Sequence, residues 1–167
     1  MTVERKVDIM KMYNATAHLY NMRYEHEQKL KISFLLNKLR PKEDEILLDI
    51  GCGTGILFNM VNCKTMIGLD ISINMLREVK NRGKIDLILA DGEHLPIKDE
   101  SIDIITSVTV LNLIMDKKRF LSEIMRCLKR GGKFGISLLN REEPPIVEGV
   151  ETYEIETMKE IFIFGKK

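Results

Sequence analysis

The sequence predicts an α/β domain: a largely parallel sheet sandwiched by helices and finished by an antiparallel hairpin. Three observations predict it. Strand-like and helix-like segments alternate along the chain. A glycine-rich turn joins the first such strand to the helix-like segment after it. Two strand-like runs near the end stand too close for a crossover helix, so they must be antiparallel. With 167 residues, 44% apolar and 31% charged, the chain is one domain long and has a globular composition. It needs no disulfide or metal staple. A net charge of +1 excludes a global basic field. No apolar run reaches the length of a membrane span, and the N-terminus does not read as a signal peptide. Cys52, Cys63 and Cys127 form no CxxC pair, which predicts free thiols, no metal site and a cytoplasmic setting.

Taken in order, Glu27 to Leu39 sets leucines and an isoleucine at helical spacing and stops before Pro41. Glu45 to Ile50 is a short apolar run ending at glycine, as a buried strand should. Gly55 to Asn62 reads as a helix, and Thr65 to Leu69 as a second strand. Ser72 caps a helix running to about Arg82, stopped by Gly83. Ile85 to Ala90 is a third strand. Asp91 to Ser101 is polar, contains Pro96 and reads as loop. Ile102 to Val108 is a fourth strand. Asp116 caps a helix from Lys117 to Lys129, stopped by Gly131-Gly132. Lys133 to Leu139 is a fifth strand, and 150–156 and 160–164 form the hairpin. The whole is one domain, with 1–40 a helical N-terminal part, 45–139 a βα core and 150–165 the hairpin.

The sharpest signal is Asp49-Ile50-Gly51-Cys52-Gly53-Thr54-Gly55. Gly51 permits the tight turn, Gly53 lets a ligand approach the backbone, and Gly55 lets the next element pack against the sheet. The pattern is G-x-G-x-G, not the dinucleotide G-x-G-x-x-G. Asp49, directly before the loop, would repel a pyrophosphate and attract a ligand carrying an ammonium and a sulfonium. Asp70 ends the second strand, where an acid can bind ribose hydroxyls, and Asp91 follows the third, where it can accept from an adenine amino group. Together these favour S-adenosylmethionine over a nicotinamide dinucleotide.

With these residues in hand, the chain resembles the class I S-adenosylmethionine-dependent methyltransferases. The stretch 48–55 looks like that family's first motif, Gly68 to Ser72 its ribose-binding motif, Ala90 to Pro96 its adenine-binding segment, and Leu128 to Lys133 the turn before its fifth strand. Tyr13 to Tyr20 resembles the opening of the quinone-biosynthesis and wobble-uridine tRNA methyltransferase branch. The resemblance implies a Rossmann-like doubly wound sheet of seven strands in the order 3-2-1-4-5-7-6, the last antiparallel, with an N-terminal helical lid. It implies that Gly51, Cys52, Gly53, Thr54 and Gly55 line the methionine part of the cofactor, with Asp49 near its amino group. Asp70 would bind the ribose, Ile71 the adenine face, and Asp91 with Gly92 the adenine edge. Ser107 and Val108 would face the methyl-donor end, and Tyr13 and Tyr20 would belong to the lid.

Methyl transfer is in-line displacement in which the protein mainly positions the acceptor, so a catalytic base is optional. His18 and Tyr20 lead the candidates for that role, ahead of His94 and Glu142. The post-strand segment Ser107 to Asn112 is not an N/D-P-P-Y loop, and no cysteine sits where a pyrimidine-methylating nucleophile would. The acceptor is expected to be a small molecule. RNA or protein acceptors, and a cofactor-binding subunit needing a partner chain, are the alternatives; nucleic acid is not favoured. The ten residues from Asn140 to Gly149 are short for a substrate-binding insertion, which motivates the partner.

Overall fold

A computed structural model describes residues 2–80 and 82–167; Asn81, inside the helix expected after Ser72, lies outside them. One sheet holds seven strands: β1 (Ile46–Ile50), β2 (Thr65–Asp70), β3 (Ile85–Leu89), β4 (Ile102–Ser107), β5 (Leu128–Leu139), β6 (Glu151–Ile155) and β7 (Glu160–Lys166). Their order is β3-β2-β1-β4-β5-β7-β6, as the resemblance implied. The first five strands pair in parallel, and β7 runs antiparallel to both β5 and β6.

Strand alternation splits the core into two layers. Leu47, Ile104, Phe162 and Phe164 face the layer that contains the first helix. Leu48, Ile50, Ile105, Ile136 and Ile163 face the other, where helix α3 (Lys117–Cys127) seats Phe120, Ile124 and Cys127. Asp116 caps α3 by accepting from the Arg119 N–H at 2.9 Å.

The N-terminal helix α1 is one continuous element, Thr2–Leu39, in keeping with the helical part expected over 1–40, although periodicity marked only the half from Glu27. No glycine or proline interrupts residues 2–39, so nothing in the chain stops it earlier. It ends where Arg40 turns left-handed (φ 51°) ahead of Pro41. The segment after Gly55 is a single 3₁₀ turn, Ile56–Asn59, instead of a helix to Asn62. Ile56, Leu57 and Phe58 are all buried, and three successive buried residues cannot share one stripe of a longer helix. Helix α2 is Ile73–Glu78, shorter than expected. Ser72 caps it by accepting from the Met75 N–H, and Val79 turns extended to enter the core beside Gly55. Strand β5 begins at Leu128, so Gly131-Gly132 interrupt a strand, not a helix end. Gly131 takes φ 81°, and the β4 pairing jumps from Leu128 to Lys133 across it.

The loop after β3 carries no helix, as read from its polarity. Arg126 of α3 holds it: its guanidinium donates to the carbonyls of Leu95 and Ile97 and pairs with Asp99 at 2.5 Å and Glu123 at 2.8 Å.

Candidate active site

The carboxyl ends of β1, β2, β3 and β4 open on one cleft, roofed by α1. Its walls include Tyr13 and Tyr20 from α1, Gly51 and Gly53 from the glycine loop, Asp70 and Ile71 after β2, Asp91 and Gly92 after β3, and Val108 after β4. A smaller cavity adjoins it, lined by Asp49, Cys52 and Thr54 and sharing Tyr20, Gly51, Gly53 and Val108 with the first. Topology builds this place: neighbouring parallel strands end at one edge, and the loops that leave them converge there.

The glycine loop is shaped by backbone that few other residues adopt. Gly51, Gly53 and Gly55 all have positive φ. The N–H groups of Gly51 and Cys52 both donate to the Leu69 carbonyl, at 2.7 and 3.0 Å, which folds the turn back onto β2. A side chain at Gly51 would strike Val110 at 2.3 Å, whereas one at Gly53 would meet nothing within 4 Å. Gly53 therefore presents bare backbone to open space.

Two carboxylates define the electrostatics. Asp49 is buried and accepts from the Thr106 hydroxyl at 2.7 Å. Burial pushes its carboxyl up to about 7, against the Thr106 hydrogen bond and reinforced by Asp70. Asp70 accepts from the N–H of Ser72 and of Gly53, both at 2.8 Å. Burial raises its pKa too, opposed by the N–H groups of Ser72, Gly53 and Ile71. Among the described residues no lysine, arginine or histidine pairs with either acid. Two buried acids without a cation are expensive to ionise, and a cationic ligand would relieve that cost.

Asp91 differs. Lys6 of α1 donates to it at 2.6 Å and pairs with buried Glu93 at 2.8 Å. Burial alone would raise Asp91, but Lys6 and the Glu93 N–H hold it below the usual carboxylate range. Tyr13 and Tyr20 stand 6.4 Å apart by ring centroid, and burial raises both phenols, Tyr20 strongly, so both stay neutral. Cys52 is a free, buried thiol whose pKa burial and the nearby Asp49 and Asp70 also raise, so it does not ionise. Thr54 donates to Asn21 of α1 at 2.5 Å.

Three sequence expectations change here. His18 is exposed and lines neither cavity, because it lies on the side of α1 away from the cleft. Ser107 is fully buried and donates to the Ile50 carbonyl at 2.8 Å, so its hydroxyl ties β4 to β1 instead of facing the cleft. Gly55 also stands behind the cleft; a side chain there would meet Val79 at 2.9 Å, so the glycine is needed for packing. Of the reserve bases, His94 is exposed beside Asp91, and Glu142 pairs with Lys117 at 3.7 Å, away from the cleft lining.

The structure adds residues that spacing could not find. Asn14 accepts from the Ser72 hydroxyl at 2.7 Å and the Asn74 N–H at 3.1 Å, which staples α1 over the end of β2. Thr109 lines the cleft with a left-handed backbone (φ 58°), a costly state for a β-branched residue. Its N–H donates to the Ser137 hydroxyl at 2.8 Å, and its own hydroxyl donates to Glu160 at 2.7 Å. Glu160 is fully buried and pairs at 2.9 Å with Lys31 of α1, also fully buried. One signal existed in the sequence: Lys31 falls on the inward stripe of Gln28, Ile32 and Leu35.

Residues 48–136 match the model of a methyltransferase domain family. An uncharacterised protein of Methanocaldococcus jannaschii is 38% identical over 112 residues, 67% of this chain and 48% of that protein. The demethylmenaquinone methyltransferase of Lactobacillus johnsonii is 36% identical over 129 residues, 70% of this chain and 53% of that enzyme. The chain thus spans about half the length of the curated relatives it matches. The fold is shared with the complex between the Haloferax volcanii Trm112 methyltransferase activator and its methyltransferase: TM-score 0.73, 17% identity, 95% of this chain and 96% of that one.

Proposed function

Because the chain belongs to the class I S-adenosylmethionine-dependent methyltransferases, we propose that its cleft binds S-adenosylmethionine and presents it to a small-molecule acceptor. One observation carries the reading: Asp49 and Asp70, both buried, face the paired cavities, and among the described residues neither is paired with a cationic side chain. The residues fit the nucleoside. Asp49 would hold the amino group, and the bare backbone of Gly53 admits the methionine part. Asp70 would hold the ribose hydroxyls, its ionised form supported by two N–H groups. Ile71 and Gly92 would flank the adenine, and Asp91 would take its amino edge in exchange for Lys6.

When bound, S-adenosylmethionine supplies a methyl group activated on sulfonium for in-line displacement. The chain's own part is to exclude water and orient the acceptor. Val108, Val110, Leu113 and Ile114 make an apolar wall on the β4 side, and Ile9, Tyr13 and Tyr20 close the cleft from α1. Such a wall suits an apolar or planar small acceptor. Tyr20 is the one nominated base that lines the cleft; as a neutral phenol it would donate a hydrogen bond and orient the acceptor.

Titration calorimetry with S-adenosylhomocysteine tests the cofactor reading. Binding by the wild type and at least tenfold weaker binding by Asp70→Ala are expected, since a lost hydrogen bond to a charged group costs about 1.5–3 kcal/mol. No binding, or an unchanged Asp70→Ala, sinks it. A screen with radiolabelled cofactor against small-molecule, RNA and protein fractions identifies the acceptor class. A second reading, that a partner chain completes the acceptor side, draws on the segment 140–149, which is short and leaves Ile146 fully exposed. Methyl transfer that appears only after a captured partner is added would favour it.

A further inference from the structure

Helix α1 carries a second apolar stripe, on the side turned away from the domain. Its inward face holds Ala17, Gln28, Lys31, Ile32, Leu35 and Leu39. At 100° per residue, Met12, Ala15, Leu19 and Met22 fall together on the opposite side. Met12 is 52% exposed and Met22 77%; Ala15 is exposed and Leu19 half-buried. The spacing is three, four, three, four, counting on to His26, which is the alternation of a two-helix seam and not of a helix face meant for water. Such a stripe on a soluble surface marks a contact.

The flanking charges name the occupant. Lys11 and Glu25 lie fourteen residues apart on one border of the stripe, with exposed His18 midway between them. Lys11 is exposed and has no partner in its own chain among the described residues, while Glu25 is half-exposed, pairs with Lys29 at 2.7 Å and also feels the charge of Lys80. Lay a second copy of the helix antiparallel on the first, and Lys11 of each copy meets Glu25 of the other. The same register sets Met12 against Met22 of the second copy and Leu19 against Ala15, large against small, in four symmetric layers. A parallel arrangement offers Lys11 only Thr16 and stacks the two Ala15 side chains across a gap. The domains themselves lie on the far sides of the two helices and do not compete for this space.

We propose that this chain self-associates through the outward face of α1, as an antiparallel helix pair centred near Ala17 and His18. The interface spans about 16 Å of helix from Met12 to Met22. That is small beside a standard interface of about 1,600 Å², so the dimer exchanges with monomer in the micromolar range. The inference does not depend on methyl transfer.

Sedimentation equilibrium of the full chain over a wide concentration range tests it, with circular dichroism to confirm that each variant folds. The mass should rise from one chain to two with increasing concentration. Met22→Glu should hold it at one chain, because it buries a charge in two of the four layers. Lys11→Glu and Glu25→Lys should each weaken association by about tenfold through like-charge contacts at both ends, and the double exchange should restore it to within about threefold. A mass of one chain at all concentrations overturns the proposal. So does a dimer that Met22→Glu leaves intact, or single charge variants that the double exchange does not repair.

Discussion

Asp49 is where sequence, fold and chemistry meet most tightly. Its place at the end of β1 puts a carboxylate beneath the glycine loop. The surrounding strands bury it, and burial raises its pKa to about 7 from an unfolded value near 4. A raised folded pKa means that the ligand-free protein favours the protonated acid. The stability this gives is complete below about pH 4 and is lost as pH rises through about 7. A ligand ammonium demands the opposite state, because it binds the carboxylate. Affinity for S-adenosylhomocysteine should therefore rise between about pH 6 and 8 as binding expels the Asp49 proton. Calorimetry in buffers of different ionisation enthalpy should record that release. Adenosine, which lacks the amino group, should bind without the pH dependence, and Asp49→Asn should abolish it. A flat profile for the wild type would remove Asp49 from the amino-group site.

At the scale of elements, α1 is the piece that turns an open sheet edge into a closed cleft. The contacts that hold it include Lys6 on Asp91 and Glu93, Asn14 on Ser72 and Asn74, Asn21 on Thr54, Lys38 on Tyr153, and Lys31 on Glu160. Lys31–Glu160 is a buried ion pair that joins the helix to β7; Thr109 and Ser137 both donate to Oε1 of Glu160, while Lys31 stands against Oε2. Lys31 also pairs with exposed Glu27 at 2.7 Å, so it is the loss of Lys31 that strands a buried charge, on Glu160, at a cost of about 3–5 kcal/mol. Lys31→Met should lower the unfolding free energy in urea by that amount, and adding Glu160→Gln should recover part of it. A single-variant loss below about 1 kcal/mol would mean the pair is solvated or dispensable. These contacts also explain what the sequence concealed. The strands, the glycine loop and the Ser72 and Asp116 caps are local and could be read from periodicity and residue type. The first half of α1 could not, because Asn14 and Asn21 find their partners only across the fold. His18 is the instructive miss. Tyr13 and Tyr20 are seven residues apart and share the inward face, whereas His18, two residues from Tyr20, is turned 200° away from it.

For the molecule as a whole, the cleft lies where its separately anchored parts converge: the parallel strands, the loop pinned by Arg126, and α1. A ligand seated there touches all of them at once, so its binding energy should appear as global stability and not as local stiffening. At a hundredfold excess over its dissociation constant, a ligand that binds only the folded state adds about 2.7 kcal/mol. For a domain of this length each kcal/mol raises Tm by about 2–4 °C, so S-adenosylhomocysteine should raise the melting temperature by roughly 5–10 °C. Asp70→Ala should melt close to the wild type without ligand, because its carboxylate is buried against its own solvation and holds only backbone N–H groups. It should nonetheless lose most of the shift with ligand. The contrast separates a residue kept for the ligand from one kept for the fold. If Asp70→Ala instead unfolds the chain at ordinary temperature, the carboxylate is holding the glycine loop in place, and its assignment to the ribose fails. If the wild type melts at the same temperature with and without the nucleoside, the cleft takes something else.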